Sequence, residues 1–525
     1  MRGWRGLPGL MFAVLALLLF SGCSTLAPRG EAPLSTAYTD TDGTALARIA
    51  VASRPPETTA PSGFRLLPTG EFAFNARLAL ARRAERSLDV QYYHIHRDQA
   101  GRALLRELRD AAARGVRVRL LVDDFYAAEI DDLLVDLAAH DNVQVRLFNP
   151  LPLRRGPPVL RLLLSRGDFE RQNHRMHNKL FVADNQFAVY GGRNIADEYF
   201  MTNPEANFID MDVVSTGAIV RDLSAVFDRY WNSDAVWPVQ AVLGVPRNAE
   251  QARAQFDDEV RTAAPVIPTY RIDPLGQTAV DVQLAEGRLA LKFADAQVHA
   301  DPPSKAAETG RARREASPAM AGLLQALAEA RSHVLIVSPY FVPGDVGMPM
   351  MRRASANGRE LVLFTNSLTS TDEPLVHEAY SHYRAEMLKL GVAIYEFNPA
   401  ATRRSRGFGY FGQSTPRLHA KVAVVDRQRL LVGSVNLDTR SAIGNTEMSV
   451  VIDSPALAKD IVTLMGGDRF AAVYKLRLGE GGHSVEWLST DTEGHTRVDT
   501  EEPGLGAWHR FKIWLQQHFV EERLL

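Results

Sequence analysis

His177, Lys179 and Asp184 lie in the run Arg175-Met-His-Asn-Lys-Leu-Phe-Val-Ala-Asp184. The same residue types return at the same spacing as His419, Lys421 and Asp426, 242 residues further along. An imidazole can attack phosphorus or protonate a departing oxygen. A lysine ammonium can hold non-bridging phosphoryl oxygens and offset the charge that grows in a transition state. On a strand, side chains two residues apart share a face, so each histidine is expected to point with its lysine. One such triple is weak grounds for catalysis. Here each of two triples is followed by a Gly-x-x-Asn turn, Gly191-Gly-Arg-Asn194 and Gly433-Ser-Val-Asn436. The expectation is one active site assembled where two halves meet. The lysines supply its positive charge, and no carboxylate cluster calls for a metal or other cofactor.

A histidine nucleophile must be neutral with one ring nitrogen free, which requires an acceptor at the other. Glu447 lies 28 residues after His419, and its counterpart in the first half is Asp210. These two are assigned as the orienting carboxylates, with Asp212 as the first-half rival. One histidine neutral and the other protonated would give a bell-shaped pH profile.

The elements that must position these groups repeat as well. Arg86-Ser-Leu-Asp-Val-Gln-Tyr-Tyr parallels Arg331-Ser-His-Val-Leu-Ile-Val-Ser-Pro-Tyr340, Gly115–Asp124 parallels Gly358–Ser367, and Phe148-Asn-Pro150 parallels Phe397-Asn-Pro399. A period this long marks a duplicated domain, not a solenoid. Apolar periodicity predicts helices over Glu71–Arg86, Arg102–Arg114, Asp131–His140 and Leu223–Trp231. It predicts strands over Ser87–His94, Val116–Asp123, Val143–Phe148, Lys179–Ala183, Gln186–Tyr190 and Phe208–Val214. Strands alternating with helices indicate an α/β fold with a largely parallel or mixed sheet in each half.

The N-terminus is set aside from the fold. Arg2 and Arg5 precede an apolar run of eleven residues, Leu10–Phe20, too short to span a bilayer, and Ser21-Gly22-Cys23 follow. Residues 1–22 read as a secretion signal, and small residues before Cys23 resemble a bacterial lipoprotein cleavage site, with Phe20 where an aliphatic is usual. That resemblance implies cleavage before Cys23 and its lipidation. Ser24 then implies outer-membrane sorting, in the cell envelope facing the periplasm. A plain signal peptide or an uncleaved anchor is the alternative. Cys23 is the only cysteine, so disulfides and thiolate sites are excluded. Residues 23–62, rich in Pro, Thr, Ala and Ser, read as a flexible tether. The first domain is expected over 63–245, a connection over 246–317 carrying a strand at Arg288–Val298, the second domain over 318–474, and an extension over 475–525. In that extension Trp508, Phe511, Trp514, Leu515 and Phe519 form an apolar helical face that either docks on the domain or lies in a membrane interface.

The twin His-x-Lys-x4-Asp motifs with their Gly-x-x-Asn turns resemble the phospholipase D superfamily. Arg175–Asn185, Gly191–Phe200 and Phe227-Asp-Arg-Tyr-Trp-Asn-Ser233 resemble its bacterial cardiolipin synthase C-like branch. The resemblance covers Phe64 to the C-terminus. It implies two pseudo-twofold related domains, a phosphohistidine intermediate, no metal, Lys179 and Lys421 on phosphate, and Asn194 and Asn436 assisting. It implies structural roles for Asp184 and Asp426. The implied reaction moves a phosphatidyl group onto phosphatidylglycerol, with phosphatidylethanolamine as donor.

Other features divide between function and scaffold. A net charge of −2 gives no field for nucleic acid, and no obligate protein partner is indicated. The basic loop Pro150–Asp168, with Arg154, Arg155, Arg161 and Arg166, is either solvated or near a phosphate. His174 with His177, and His94 with His96, have zinc-like spacing without an evident third ligand. His377-Glu-Ala-Tyr-Ser-His382 is one residue too long for a zinc-protease helix; His377 and Tyr380 line the substrate side or sit on a surface helix. Tyr92, Tyr93, Tyr340 and Phe341 end equivalent strands, packing in the core or touching lipid. Phospholipid hydrolysis, a periplasmic nuclease and an inactive envelope scaffold are the competing functions.

Overall fold

The computed structural model describes residues 28–151, 154, 171, 173–306, 317–404, 411–466, 472–491 and 493–504. The secretion signal, Cys23 and the amphipathic stretch from Trp508 lie outside these residues. Among the described residues, no helix is long and apolar enough to cross a membrane.

The strands of the first half are β1 (Ser62–Leu67), β2 (Ser87–Tyr92), β3 (Arg117–Asp123), β4 (Val143–Phe148), β5 (Leu180–Ala183), β6 (Phe187–Gly191), β7 (Ala206–Ile209), β8 (Asp212–Gly217) and β9 (Val236–Pro238). A connecting strand, β10 (Lys292–Ala300), leads to the second half. There the strands are β11 (His333–Val337), β12 (Glu360–Asn366), β13 (Ala393–Phe397), β14 (Thr415–Leu418), β15 (Val422–Val425), β16 (Arg429–Gly433), β17 (Met448–Asp453), β18 (Val473–Leu478), β19 (Val485–Thr490) and β20 (Thr496–Asp499). In the first half β2, β3 and β4 run parallel, while β5, β6, β8 and β1 add on antiparallel beside β2. The second half repeats this with β11, β12 and β13 parallel and β15, β16 and β17 antiparallel. The sheet is therefore mixed and duplicated. Its parallel strands are buried along nearly their whole length; β11 is a run of Val, Leu and Ile, while β2 and β3 also carry polar residues, among them Asp89, paired with Arg119 at 2.6 Å.

β10 joins the halves. It pairs antiparallel with β1 on one side and β17 on the other, making one 18-stranded sheet. Phe64, Leu66 and Val213 from the first half share an apolar cluster with Val337, Val422 and Val450 from the second. The halves are held by a common core, which fixes the geometry of anything built between them.

Four expectations change. Residues 28–62 are not a loose tether. They include a helix, Ala45–Ala52, whose Leu46 is fully buried. The Arg119 guanidinium donates to the Ser35 carbonyl at 2.8 Å and that of Arg146 to the Pro33 carbonyl at 2.7 Å. Two buried arginines need acceptors, and this segment's backbone provides them. The connection after residue 246 is also more than a linker, since Phe256, Val260, Val280 and Leu284 complete the first-half core. β18 pairs with β13 and crosses the boundary placed at 474. Finally, the strand expected over Phe208–Val214 breaks into β7 and β8, and Asp210 occupies the break.

Candidate active site

Each histidine lies just before the strand that anchors its motif, β5 for His177 and β15 for His419. The segments carrying them pair across the molecule. β14, leading to His419, runs parallel to β7, leading to Asp210, and the His419 amide donates to the Ile209 carbonyl at 2.7 Å. In the mirror arrangement Met176 bridges to Thr446, and the His177 amide donates to the Thr446 carbonyl at 2.9 Å. Each histidine is thereby laid beside the other half's carboxylate.

The carboxylates assigned from the repeat both meet a histidine ring, but crosswise, each against the other half's histidine. His177 Nδ1 lies 3.0 Å from both oxygens of Glu447. His419 Nδ1 lies 2.7 Å from Oδ2 of Asp210. Bonding at Nδ1 leaves Nε2 of each ring for chemistry. Asp212, the rival, is a buried structural group paired with Arg77 at 2.9 Å and Arg193 at 3.4 Å.

The supports of the two carboxylates differ. A side chain at Gly192 would bring its Cβ within 2.2 Å of Asp210 Oδ1, so glycine there leaves room for the orienter. The equivalent residue, Ser434, instead donates its hydroxyl to Glu447, and Ser441 donates a second at 2.9 Å.

Lys179 and Lys421 each donate to the carbonyl of their own histidine at 2.6 Å, which holds the ammonium groups beside the rings. All four groups are buried, with His177 8 % and His419 4 % exposed. Burial lowers the pKa of His177, with Lys179 and Lys421 adding to the fall and Glu447 opposing it. Burial likewise lowers His419, helped by Lys421, Lys179 and His177. Burial pulls Lys179 down to about 7, with Glu447 resisting and Lys421 adding to the fall, and it lowers Lys421 as well. These cross-half terms put the two triples in one electrostatic unit. They also correct the protonation expected from sequence, because both histidines are held neutral near pH 7.

Asp184 and Asp426 are not part of this chemistry. Asp184 accepts from the backbone amides of Glu85, Arg86 and Ser87, and Asp426 from those of Arg331, Ser332 and His333. Each opens a three-residue hairpin loop whose tight turn has positive φ at both central positions, 52° and 53° at Asp184-Asn185 and 51° and 57° at Asp426-Arg427. That is the turn type that joins antiparallel strands without splaying them, and Asp and Asn tolerate it. Asn194 and Asn436 are buried beside the site. Asn194 donates to the Tyr199 hydroxyl at 3.1 Å, and the side-chain oxygens of both asparagines lack a protein partner among the described residues.

The sequence placed Tyr93 and Tyr340 in the core or against lipid, and neither reading put them against the catalytic rings. Tyr93 meets the His177 ring edge-on at 5.3 Å and lies 5.6 Å from the Lys179 ammonium. Tyr340, its counterpart, meets His419 at 6.4 Å and Lys421 at 5.9 Å. Their shared place at the ends of β2 and β11 was the available signal. Tyr92 instead packs in the core, accepting from Arg77 at 2.7 Å, and Phe341 is core. His377 neither lines the substrate side nor lies on the surface. It is buried, with Nε2 2.7 Å from Glu502, and so ties down the C-terminal extension. Tyr380 donates to Glu396. His174 is buried against the Ala306 carbonyl. Of the loop arginines only Arg154 is described, and it pairs with Asp124 and Asp131. Beside His94 and His96 stands Glu129, a third donor that sequence spacing could not show, all within 4.8 Å of one another. Both nitrogens of His96 already engage carboxylates, Asp98 and Glu129.

The family described as Cardiolipin synthase, PLD-like domain matches this chain twice, over residues 78–231 and 323–468. The chain belongs to that family. The cardiolipin synthase family match spans both triples and both orienting carboxylates. Among curated relatives, the chain is 36% identical to cardiolipin synthase C of Escherichia coli K12 over 456 residues, covering 86% of this chain and 94% of that one. It is 27% identical to cardiolipin synthase A of Pseudomonas aeruginosa over 414 residues, covering 78% and 68%. Among solved structures, phosphatidylserine synthase of Haemophilus influenzae superposes with a TM-score of 0.55 at 13% identity, covering 89% of this chain and 98% of that one. That likeness shows the shared fold.

Proposed function

We propose that the protein makes cardiolipin, transferring a phosphatidyl group from phosphatidylethanolamine to phosphatidylglycerol. It is a phosphatidyltransferase of the phospholipase D superfamily. The observation that carries the reading is the pair of histidines, each bonded at Nδ1 to the other half's carboxylate, with both lysines in the same buried chamber. Nε2 of one histidine attacks phosphorus while the bond from phosphorus to the headgroup oxygen breaks. The other imidazole, protonated once the phosphodiester is bound, gives its proton to the departing alcohol. The terminal hydroxyl of phosphatidylglycerol then returns a proton to that imidazole and attacks the phosphohistidine, which releases the first histidine. The lysines hold the phosphoryl oxygens throughout. Assigning the attack to His177 rests on its partner: Glu447, braced by two serine hydroxyls, is the more firmly held carboxylate.

The test is to incubate the purified protein with phosphatidylglycerol, with and without phosphatidylethanolamine, and identify the lipids by mass spectrometry. Cardiolipin formation stimulated by phosphatidylethanolamine is expected. Phosphatidic acid alone would replace the transferase with a hydrolase. His177→Ala and His419→Ala are each expected to abolish turnover.

We infer that the protein acts at the periplasmic side of the envelope, anchored by a lipidated Cys23 and favouring the outer membrane. The short apolar run, the small residues before Cys23 and Ser24 after it support this. Metabolic labelling with a fatty acid should tag the wild type and not Cys23→Ala; equal labelling of both would remove the anchor.

A further inference from the structure

The two halves differ in one place that bears on how a lipid is held. In the first half the helix Gln99–Ala113 seals the face of β2 and β3, with Leu104, Leu105 and Leu108 fully buried. Its counterpart, Gly344–Ala356, crosses β11 and β12 but buries only Met348 and Ala354. Its sequence explains the gap. With Gly115 and Gly358 aligned, Gly347 stands at the place of Leu104 and Met348 and Met351 at those of Leu105 and Leu108, and Pro349 stands inside the helix, so the sealing leucines are replaced by a glycine and flexible methionines. Beneath it lies a cavity of about 460 Å³, lined by Leu324, Leu327, Met350, Met351 and Leu361 among others. That volume falls within the roughly 300–1,000 Å³ of small-molecule sites.

Two features say what fills it. Val346 and Ile443, both in the cavity wall, are 60% and 36% exposed, so apolar side chains reach from the cavity to the surface. Three charged residues of the wall, Asp345, Arg353 and Arg359, lie on or just after the covering helix, and such arginines present aliphatic stems inward and heads outward; the fourth, Asp438, is buried, its carboxylate accepting from the Ser441 amide at 2.7 Å. The cavity lies beside the active site along the chain. Its wall residues Phe341 and Val342 follow Tyr340, which faces His419, and its wall residues Thr439 and Ala442 flank Ser441, which braces Glu447.

We propose that this cavity takes one fatty acyl chain of the phospholipid whose phosphodiester lies between the two histidines. The inference rests on the phospholipid reading above and adds where the lipid's apolar part goes. An extended hydrocarbon matches a largely apolar space whose wall residues Phe341 and Leu437 directly follow the site residues Tyr340 and Asn436 in the chain. It also gives the reaction an asymmetry that the twofold chemistry lacks, because the first-half helix Gln99–Ala113 buries three leucines where Gly344–Ala356 leaves this space.

The test is photo-labelling of the full chain on vesicles of phosphatidylglycerol and phosphatidylethanolamine. The vesicles are doped with a phosphatidylglycerol or phosphatidylethanolamine probe carrying a diazirine midway along one acyl chain. Labelled peptides are expected from Met320–Leu327 and Gly344–Arg353. Labelling confined to other peptides would overturn the proposal. In Leu324→Trp/Ala354→Phe, with folding checked by circular dichroism, cavity labelling should fall. The ratio of turnover on long-chain to short-chain lipid should fall about tenfold or more, as expected when several methylene groups lose their burial. An unchanged ratio would count against an acyl chain in the cavity. Labelling reads binding alone, so it stands if the product proves to be phosphatidic acid. Cardiolipin made without cavity labelling would keep the enzyme reading and sink this one.

Discussion

Glu447→Gln tests the crosswise site at its most specific contact. The substitution keeps the volume and removes the charge 3.0 Å from His177 Nδ1. It does not act by making His177 cationic, because burial already lowers that pKa and Glu447 is the group opposing the fall. The loss comes in the transition state, where the attacking imidazole becomes positive as it bonds phosphorus. A hydrogen bond to a charged group is worth about 1.5–3 kcal/mol, and the lost carboxylate attraction adds to this in a buried site. About 2–4 kcal/mol of barrier corresponds to roughly 30- to 1,000-fold in kcat. If the new amide turns its NH2 toward the ring, the wrong nitrogen is protonated and the loss reaches the upper end. Ser434 and Ser441 now donate to one carboxylate oxygen each, so the new NH2 meets a hydroxyl donor whichever way the amide turns. The assay is single-turnover formation of the covalent intermediate, combined with nitrogen NMR of the histidine rings. Glu447→Gln should shift the ring signals of His177 and leave His419 in place, and Asp210→Asn should do the reverse. A rate within threefold of wild type, or a Glu447→Gln shift seen at His419, would refute the crossed arrangement.

Asp184→Ala should destabilise the fold by about 2–4 kcal/mol in denaturant titrations, since one amide it leaves unpaired, that of Ser87, is buried. Asp426→Ala should cost less, because the amides it serves are more accessible to water. In kcat/KM profiles the acid limb should reflect His177, which is neutral above about 4, and the alkaline limb Lys179, which loses its proton above about 7. Lys179→Arg should therefore lower activity but move the alkaline limb upward; an unmoved limb would exclude Lys179 as its source. Removing residues 28–61 should lower the melting temperature by several degrees, because Leu46 leaves the core and Arg119 loses an acceptor. An unchanged melting temperature would restore the tether reading.

The duplication and the catalytic residues were legible because they repeat. The His-x-Lys spacing and the Gly-x-x-Asn turns align at an offset of 242, and the Asp210 and Glu447 positions follow at an offset of 237. Pairing across the halves was not legible. An alignment of repeats says which residues are equivalent and not which of two equivalent partners each one meets. That choice is made by the β7–β14 and Met176–Thr446 pairings, which depend on β10 joining the two sheets. The structural role of Asp184 and Asp426 is likewise set by positive φ and by amides some hundred residues upstream. Composition misread residues 28–62, because a Pro- and Thr-rich segment becomes ordered when buried arginines supply donors to its backbone.

The central claim is that two half-sites make one active centre with one nucleophile. Rapid quenching during turnover, followed by peptide mass spectrometry, tests it most directly. The account predicts at most one phosphatidyl group per chain, on His177, absent from His177→Ala. Two groups per chain, or a group carried by a residue other than the paired histidines, would contradict it.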